Sequence, residues 1–145
     1  MSNYAENRKA RFDYELLEEF EAGLELEGSE VKSVRAGKVS LAGSFVSVRG
    51  GEAFLLNAEV QPYQPKNLSA DYDTKRARKL LLTKDELDKL ATAEATKGLT
   101  IVPITVYNKG RFIKCRVAIA RGKKQFDKRE ALKKRDTERD LERSL

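Results

Sequence analysis

The basic residues of the last 25 positions are the side chains whose types and spacing most clearly suggest a chemistry. Residues 121–145 carry ten Lys or Arg and six Asp or Glu, so this segment holds a net charge of +4 out of the chain's +6. At its start, residues 122–129 place cations and polar donors around the ring of Phe126. The segment has too few apolar side chains to form a core of its own. Its composition therefore predicts a tail that binds a polyanion or stays solvated.

Three further groups of cations precede the tail and offer phosphate-binding chemistry. They are Arg8, Lys9 and Arg11; Lys32, Arg35 and Lys38; and Lys75, Arg76, Arg78, Lys79 and Lys84. Lys and Arg can neutralise a phosphate backbone, although the same pattern is also typical of an ordinary solvated surface. Five aromatic residues near these groups could stack on exposed bases or pack in a core. They are Phe12, Tyr14, Tyr63, Tyr72 and Tyr107.

The composition of the whole chain narrows the classes of partner. With 145 residues, 36% charged residues and a pI near 9.4, the chain is predicted to be one domain plus the tail. Nucleic acid is the first candidate partner and a membrane surface the second. No apolar run reaches the roughly 18 to 20 residues of a spanning helix, and the N-terminus lacks the apolar part of a signal peptide. We therefore expect a cytosolic protein.

The residue types give little support for an enzyme. The chain has no His and a single cysteine, Cys115, which argues against zinc sites, catalytic triads and internal disulfides. Cys115 alternates with Ile113 and Val117, a pattern that predicts a small buried strand residue. The Glu residues between 15 and 30 could bind Mg²⁺ or act as acid and base, but alternate exposed Glu residues are typical of a half-buried strand. We predict no catalytic residue, no metal and no cofactor.

Hydrophobic periodicity predicts a mainly β protein with two or three short helices. The predicted strands are 12–26, 39–48, 53–60, 99–107 and 112–120, and the predicted helices follow Ser29 and Thr83. The first strand is expected to bend or bulge at Ala22–Gly23, and Pro103 predicts an edge or bulge in the fourth. Asn108-Lys109-Gly110 predicts a hairpin between the last two strands.

This set of short strands is typical of a small β-barrel. We predict an OB-like barrel, closed or partly closed, over residues 1–120, followed by the basic C-terminal tail over 121–145. OB-like barrels commonly present a strand face and loops to oligonucleotides, but a fold alone does not establish a function.

Six blocks of sequence follow one another from residue 7 into the tail, so together they span nearly the whole chain. They are Asn7–Tyr14, Phe20–Gly23, Gly28–Lys38, Gly51–Ala58, Arg78–Leu82 and Gly122–Arg129. Together they closely resemble the SsrA-binding protein family, also called small protein B. The resemblance implies a non-enzymatic cytoplasmic adaptor that binds the tRNA-like end of transfer-messenger RNA (tmRNA) and delivers it to stalled bacterial ribosomes. We expect no membrane attachment and a monomer as bound.

The resemblance also implies two binding surfaces. On the barrel, the positions that match the family motif are Asn7, Tyr14 and Glu21, and the neighbouring cations are weaker candidates: Arg8, Arg11, Lys32, Arg35, Lys38, Lys75, Arg76, Arg78 and Lys79. The implied ribosome contacts of the tail are Gly122, Lys123, Lys124, Asp127, Lys128, Arg129, Lys133, Lys134 and Arg135. The family's tail is disordered when free and helical in the vacant mRNA channel near the decoding centre. Gly122 is expected at a turn or a close backbone approach.

This chain departs from the family pattern at Phe12 and Thr83. Many relatives have His where Phe12 and Thr83 stand, so no histidine contact is carried over to this chain. The runner-up function is a general single-stranded nucleic-acid binder, and the third class is an acidic-site nuclease. A general binder would not prefer tmRNA to an unrelated oligonucleotide, and a nuclease would require Mg²⁺.

Overall fold

The computed structural model describes residues 3–63 and 72–123, and this part of the chain is mainly β. Its nine strands are β1 Asn3–Glu6, β2 Tyr14–Leu24, β3 Val39–Ser40, β4 Phe45–Arg49, β5 Glu52–Leu56, β6 Glu59–Val60, β7 Arg78–Leu81, β8 Leu99–Lys109 and β9 Phe112–Gly122. Its three helices are α1 Arg8–Asp13, α2 Gly28–Arg35 and α3 Lys84–Ala95. The predicted fold class is confirmed. None of the helices described is long and apolar enough to cross a bilayer.

The three longest strands, β2, β8 and β9, lie at the centre of a seven-stranded antiparallel sheet. The strand order is β1-β8-β9-β2-β7-β5-β4, and β3 pairs with β6 in a separate two-stranded sheet. Within the described residues the edge strands β1 and β4 do not pair with each other. The sheet is therefore not closed, and of the two predicted forms of the OB-like barrel the partly closed one agrees with it.

The hairpin of β8 and β9 follows the sequence prediction closely. Asn108 pairs with Ile113 across a turn at Gly110, whose φ of 61° lies in the left-handed region that glycine adopts without strain. The register shifts between Pro103 and Thr105, which confirms the bulge expected near this proline. The inward-facing residues of β9, Cys115 among them, are buried as predicted.

A bulge in β2 decides which of its side chains share a face. The register against β9 shifts between Leu16 and Glu18, so Leu17 is the extra residue. Of the bend or bulge predicted at Ala22–Gly23, the bulge is wrong, because both residues pair in register with β9. Position 23 favours glycine because of close packing: a Cβ there would lie 3.2 Å from the Cβ of Leu81 on β7.

The central strands bury apolar side chains on both of their faces. The inner face of β2 carries Phe20, Ala22 and Leu24 into the main core. The outer face forms a second, smaller cluster under α1, composed of Ala10, Val102, Ile104, Ala118 and Ala120, with Tyr14 and Leu16 packed against it. The apolar even positions of β2 are divided between these two clusters because the bulge reverses the alternation.

Local capping explains where α2 and α3 begin. The N–H of Thr83 donates to Glu86 Oε1 (2.9 Å) and the N–H of Glu86 donates to Thr83 Oγ1 (3.3 Å), so the capping box predicted for α3 is confirmed. α2 begins two residues earlier than predicted. Its cap is Glu27, whose N–H donates to Glu30 Oε1 at 2.9 Å, and not Ser29.

Several short elements differ from the sequence prediction. The strands expected at 39–48 and 53–60 are each divided in two by a turn, marked by positive φ angles at Gly43 and Asn57. β1, α1 and β7 were not predicted, and residues 12 and 13 end α1 and do not begin a strand. Each of these elements has four to six residues, too few for periodicity to identify.

Candidate nucleic-acid interface

Asn7 anchors the short helix that carries the first group of cations. Its Oδ1 accepts from the N–H of Ala10 (3.2 Å), its Nδ2 donates to the carbonyl of Pro103 (2.9 Å), and its own N–H donates to Ile104 O (2.8 Å). These bonds cap α1 and hold it against β8. Arg8 and Arg11 are exposed on this helix. Asn7 therefore positions the cations of α1 on the outer side of the sheet.

The basic tail starts beside α1. Gly122 is the last residue of β9 and pairs with Tyr14, so it lies in extended strand and not at the expected turn. The N–H of Lys123 donates to the carbonyl of Asp13 (2.9 Å), and its Nζ lies 3.4 Å from the carbonyl of Arg11. Lys123 of the tail thus joins the cations of α1. The other tail residues named above, Lys124 onward, lie outside the described residues.

A cleft of about 650 Å³ separates α1 from the chain between β3 and β4. Its lining includes Arg8, Lys9 and Tyr14 from α1 and the start of β2, together with Ser40 and Phe45 from β3 and β4. Phe45 is 46% exposed, which is unusual for so large an apolar side chain in a strand. The cleft therefore brings cations for phosphate and aromatic rings for bases into the lining of one cavity. Sequence reasoning did not select Phe45, because it lies in an ordinary alternating strand pattern.

Glu21 lies at the centre of a charged cluster on the outer face of β2. The hydroxyl of Tyr107 donates to its carboxylate, and Lys109 Nζ donates to Oε1 at 2.9 Å. The guanidinium of Arg116 lies 5.7 Å from the centre of the Tyr107 ring. The hydrogen bonds from Tyr107 and Lys109 lower the pKa of Glu21, while burial and the Glu21 carboxylate raise the pKa of Tyr107 to about 12. Glu21 is therefore a fixed anion among cations.

Pairing with β9 places Tyr14 and Glu21 on the same face. Tyr14 lies opposite Gly122, and Glu21 lies opposite Arg116. These two partners are six residues apart, an even number, so they share one face of β9 at a separation of roughly 20 Å. The motif positions Asn7, Tyr14 and Glu21 are thus brought to one side of the sheet. Arg116, on the same side, was not selected from the sequence because it reads as an ordinary outward strand residue.

A second group of cations meets around β6. The N–H of Gln61 donates to Lys38 O and the N–H of Val60 donates to Thr74 O, both at 2.9 Å. These bonds bring Lys38 and Lys75 to the two sides of one short strand, although they are 37 positions apart in the sequence. The exposed residues here are Lys32, Arg35, Lys38, Tyr63 and Lys75. The Nζ of Lys38 lies 5.8 Å from the centre of the Tyr63 ring.

Arg78 must be removed from the candidate surface. Its side chain has 0% exposure, and its guanidinium donates to Glu30 Oε2 (2.6 Å) and to the carbonyls of Ala58 and Thr74 (2.9 and 3.1 Å). A guanidinium surrounded in this way cannot reach RNA. Its role is to join α2 to β6 and β7, and thereby to hold the surface around β6 in place.

Glu30 receives a second cation, Arg76. Burial alone would raise the pKa of Glu30, but hydrogen bonds from Arg76, the Glu27 N–H and Arg78 outweigh it, and the pKa is lowered. Arg76 is half-buried and is committed to this carboxylate, so it contributes less free charge to the surface than predicted. Lys79 is also paired, with its Nζ 3.0 Å from Glu52 Oε1, but both groups are partly exposed.

The described residues show no group of three or more His, Cys, Asp or Glu side chains that could hold a metal ion. Cys115 is fully buried, and burial raises the pKa of its thiol to about 12. A thiol of this kind carries no thiolate at neutral pH and is a structural residue.

The fold and this surface define a small, partly closed β-barrel protein with a basic face beside the start of a basic tail, a combination suited to nucleic acid. A family model described as SmpB protein matches residues 4–145. The chain is 50% identical to the SsrA-binding protein of Acaryochloris marina (97% of this chain and 92% of the relative) and 51% identical to that of Chloroflexus aggregans (97% and 89%).

A solved structure gives the same result. The chain is similar to a chain in the structure described as "tmRNA-SmpB: a journey to the center of the bacterial ribosome", with 47% identity, a TM-score of 0.68, and coverage of 88% of this chain and 92% of that chain. The chain belongs to the SmpB, or SsrA-binding protein, family.

Proposed function

We propose that this chain is a non-enzymatic adaptor that binds tmRNA and delivers it to stalled bacterial ribosomes for trans-translation. Membership of the SsrA-binding protein family supports this function, as does similarity to a chain described with tmRNA and the bacterial ribosome. Such an adaptor works in the cytoplasm, where the ribosomes are.

The outer face around α1 is the observation that best supports tmRNA binding by the barrel. Four features lie on one side of the central strands. They are the cations of α1, the ring of Tyr14, the cleft that Phe45 helps to line, and the charged cluster at Glu21. Single-stranded loops of RNA are recognised by stacking on aromatic rings together with contacts to phosphates and base edges. We assign the tRNA-like part of tmRNA to this face, with Tyr14 as a stacking residue.

A carboxylate can belong in such an interface. Glu21 accepts from Lys109 and Tyr107 and so remains ionised, and a fixed anion can accept from a base amine or a 2′-hydroxyl. The surrounding cations, Arg116 among them, keep the region attractive to phosphate. We assign Glu21 to recognition and the cations to affinity.

We assign the tail to the ribosome. In this proposal residues 124–145 enter the vacant mRNA channel and form a helix there, with Lys124, Lys128 and Arg129 meeting ribosomal RNA phosphates. Because the described chain ends at Lys123 beside α1, the tail departs from the same end of the barrel that carries the α1 cations. A resident mRNA would block this path and supply competing phosphates.

Binding of the purified full-length chain to tmRNA tests the proposal. The comparison is with an unrelated single-stranded RNA of equal length at the same salt concentration, because salt alone changes such affinities by orders of magnitude. We expect a clear preference for tmRNA. Equal affinities would identify a general single-stranded RNA binder.

A further inference from the structure

A groove at the opposite end of β2 from Tyr14 has a surface chemistry that RNA recognition at α1 does not use. It has a volume of about 330 Å³ and lies among β2, α2, β7 and the tip of the β8–β9 hairpin. Its apolar lining includes Leu26, Val31, Leu81 and Phe112. We call it the hairpin groove. Tyr14 pairs with Gly122 and Gly23 pairs with Lys114, so the groove lies roughly 25–30 Å from Tyr14 along β9, although it is only about 7 Å from the position of Glu21, which pairs with Arg116.

The two most exposed large apolar side chains of the described residues border the hairpin groove. Phe112 is 67% exposed and Leu81 is 51% exposed. A single exposed apolar residue needs no explanation, but two on either side of an apolar depression form a continuous patch of the kind found at interaction sites. Gly23 forms part of the floor, and its lack of a side chain lets Leu81 lie close to β2.

The rim of the hairpin groove is basic. Its three charged lining residues among those described are Arg35, Arg111 and Lys114, and no described lining residue is acidic. Arg35 Nη2 donates to the carbonyl of Arg111 at 3.0 Å, which ties the hairpin tip to α2 and fixes two sides of the groove. Lys114 Nζ lies 5.7 Å from the centre of the Phe112 ring. The groove therefore presents an apolar floor inside a positive rim.

We propose that the hairpin groove docks an acidic segment of a partner protein, which inserts a leucine, isoleucine or phenylalanine side chain and places Asp or Glu on the rim. The aliphatic floor fits a branched apolar side chain, and the three rim cations are complementary to carboxylates. A nucleobase fits less well, because only Phe112 offers a ring and Lys114 lies over it. The acidic protein segment is a partner that the proposed function does not include, and its groove adjoins the Glu21 end of the candidate RNA surface.

An NMR titration of the ¹⁵N-labelled full-length chain tests the proposal with a defined probe. The probe is a synthetic helical peptide with leucines at i, i+3 and i+7 and glutamates beside them. We expect saturable amide shifts at Gly23, Leu81 and Phe112, with little change at Tyr14. Phe112→Ser and Lys114→Glu, both at the surface, should each weaken binding by about tenfold.

Titrations with two control peptides and with a single-stranded RNA decide whether the groove is specific for the acidic, leucine-bearing peptide. Equal binding of a peptide with serines for leucines, or with lysines for glutamates, would overturn the proposal, as would the absence of shifts in the groove. A single-stranded RNA that shifts Phe112 when the acidic peptide does not would show an RNA site instead. Phe112→Ser removes no group that is bonded to Glu21, so it should leave tmRNA affinity unchanged, and loss of that affinity would contradict the assignment of Phe112 to a protein partner.

Discussion

Tyr14 and Glu21 point to the same face of β2, although they are seven residues apart and a regular strand would place them on opposite faces. The bulge at Leu17 supplies the extra residue that reverses the alternation. An aromatic ring and a fixed anion are thereby presented together, on the side where α1 carries its cations. The candidate RNA surface depends on this one irregularity.

Removal of the Tyr14 ring should weaken tmRNA binding without unfolding the protein. A base stacked on an aromatic residue contributes about 1 to 3 kcal/mol, so Tyr14→Ala is expected to raise the Kd by roughly 5- to 150-fold. Tyr14→Phe keeps the ring and should stay close to the parent chain. Leu17→Ala, at an exposed position of the same strand, is the control. A filter-binding assay measures the Kd, and an unchanged value for Tyr14→Ala would remove Tyr14 from the interface.

Arg11 should contribute to affinity through phosphate, in a salt-dependent manner. Loss of one phosphate contact lowers the slope of log K against log salt concentration by about 1. Arg11→Ala is expected to show this change, and Lys97→Ala, which removes an exposed charge after α3, is expected to keep the parent slope. Binding isotherms at several salt concentrations give the slopes. Equal slopes for the two variants would place Arg11 outside the interface.

Arg78 should matter for stability and not for RNA contact. Arg78→Met leaves Glu30 with one cation fewer in a buried position, and such a loss typically costs about 3 to 5 kcal/mol. Lys79→Met, the next residue on β7, breaks a partly exposed pair and should cost about 1 kcal/mol or less. Urea unfolding measures both. Equal losses for the two variants would contradict the structural role assigned to Arg78.

Glu30 should make folding sensitive to acid. Its pKa is lowered in the folded state from an ordinary value of 4.5, so the unfolded chain binds its proton first as the pH falls. The stabilisation is fully present above pH 4.5 and is lost as the pH falls through the lower, folded-state pKa. Glu30→Gln should flatten the decline of the unfolding free energy in this acidic range. Parallel pH profiles for the parent chain and Glu30→Gln would refute this linkage.

The long elements and the main core were predictable because their signals are local. The alternation of Ile113, Cys115 and Val117 identified β9, and the Thr83–Glu86 pair identified the start of α3. Asn-Lys-Gly at 108–110 located the turn between the longest strands. In each case neighbouring residues alone determine the structure.

The site was harder to predict because its geometry depends on contacts between distant residues. Arg78 reads as a surface cation until Glu30, 48 positions earlier, is placed against it. The position of the β2 bulge follows from pairing with β9, and no turn residue in β2 marks it. Phe45 and Arg116 belong to the surface because of the elements opposite them. The tRNA-like ligand and the role of the tail came from family resemblance, not from these patterns.

The division of roles between the barrel and the tail is tested by measuring tmRNA binding and peptide tagging separately on one truncated variant. A variant that lacks residues 124–145 keeps Gly122, which completes β9, and Lys123, which is bonded to α1. It should bind tmRNA with nearly the parent Kd yet fail to support tagging of the nascent peptide on stalled ribosomes. Normal tagging by this variant, or a loss of tmRNA affinity as large as that of Tyr14→Ala, would contradict the assignment of the barrel to tmRNA and of the tail to the ribosome.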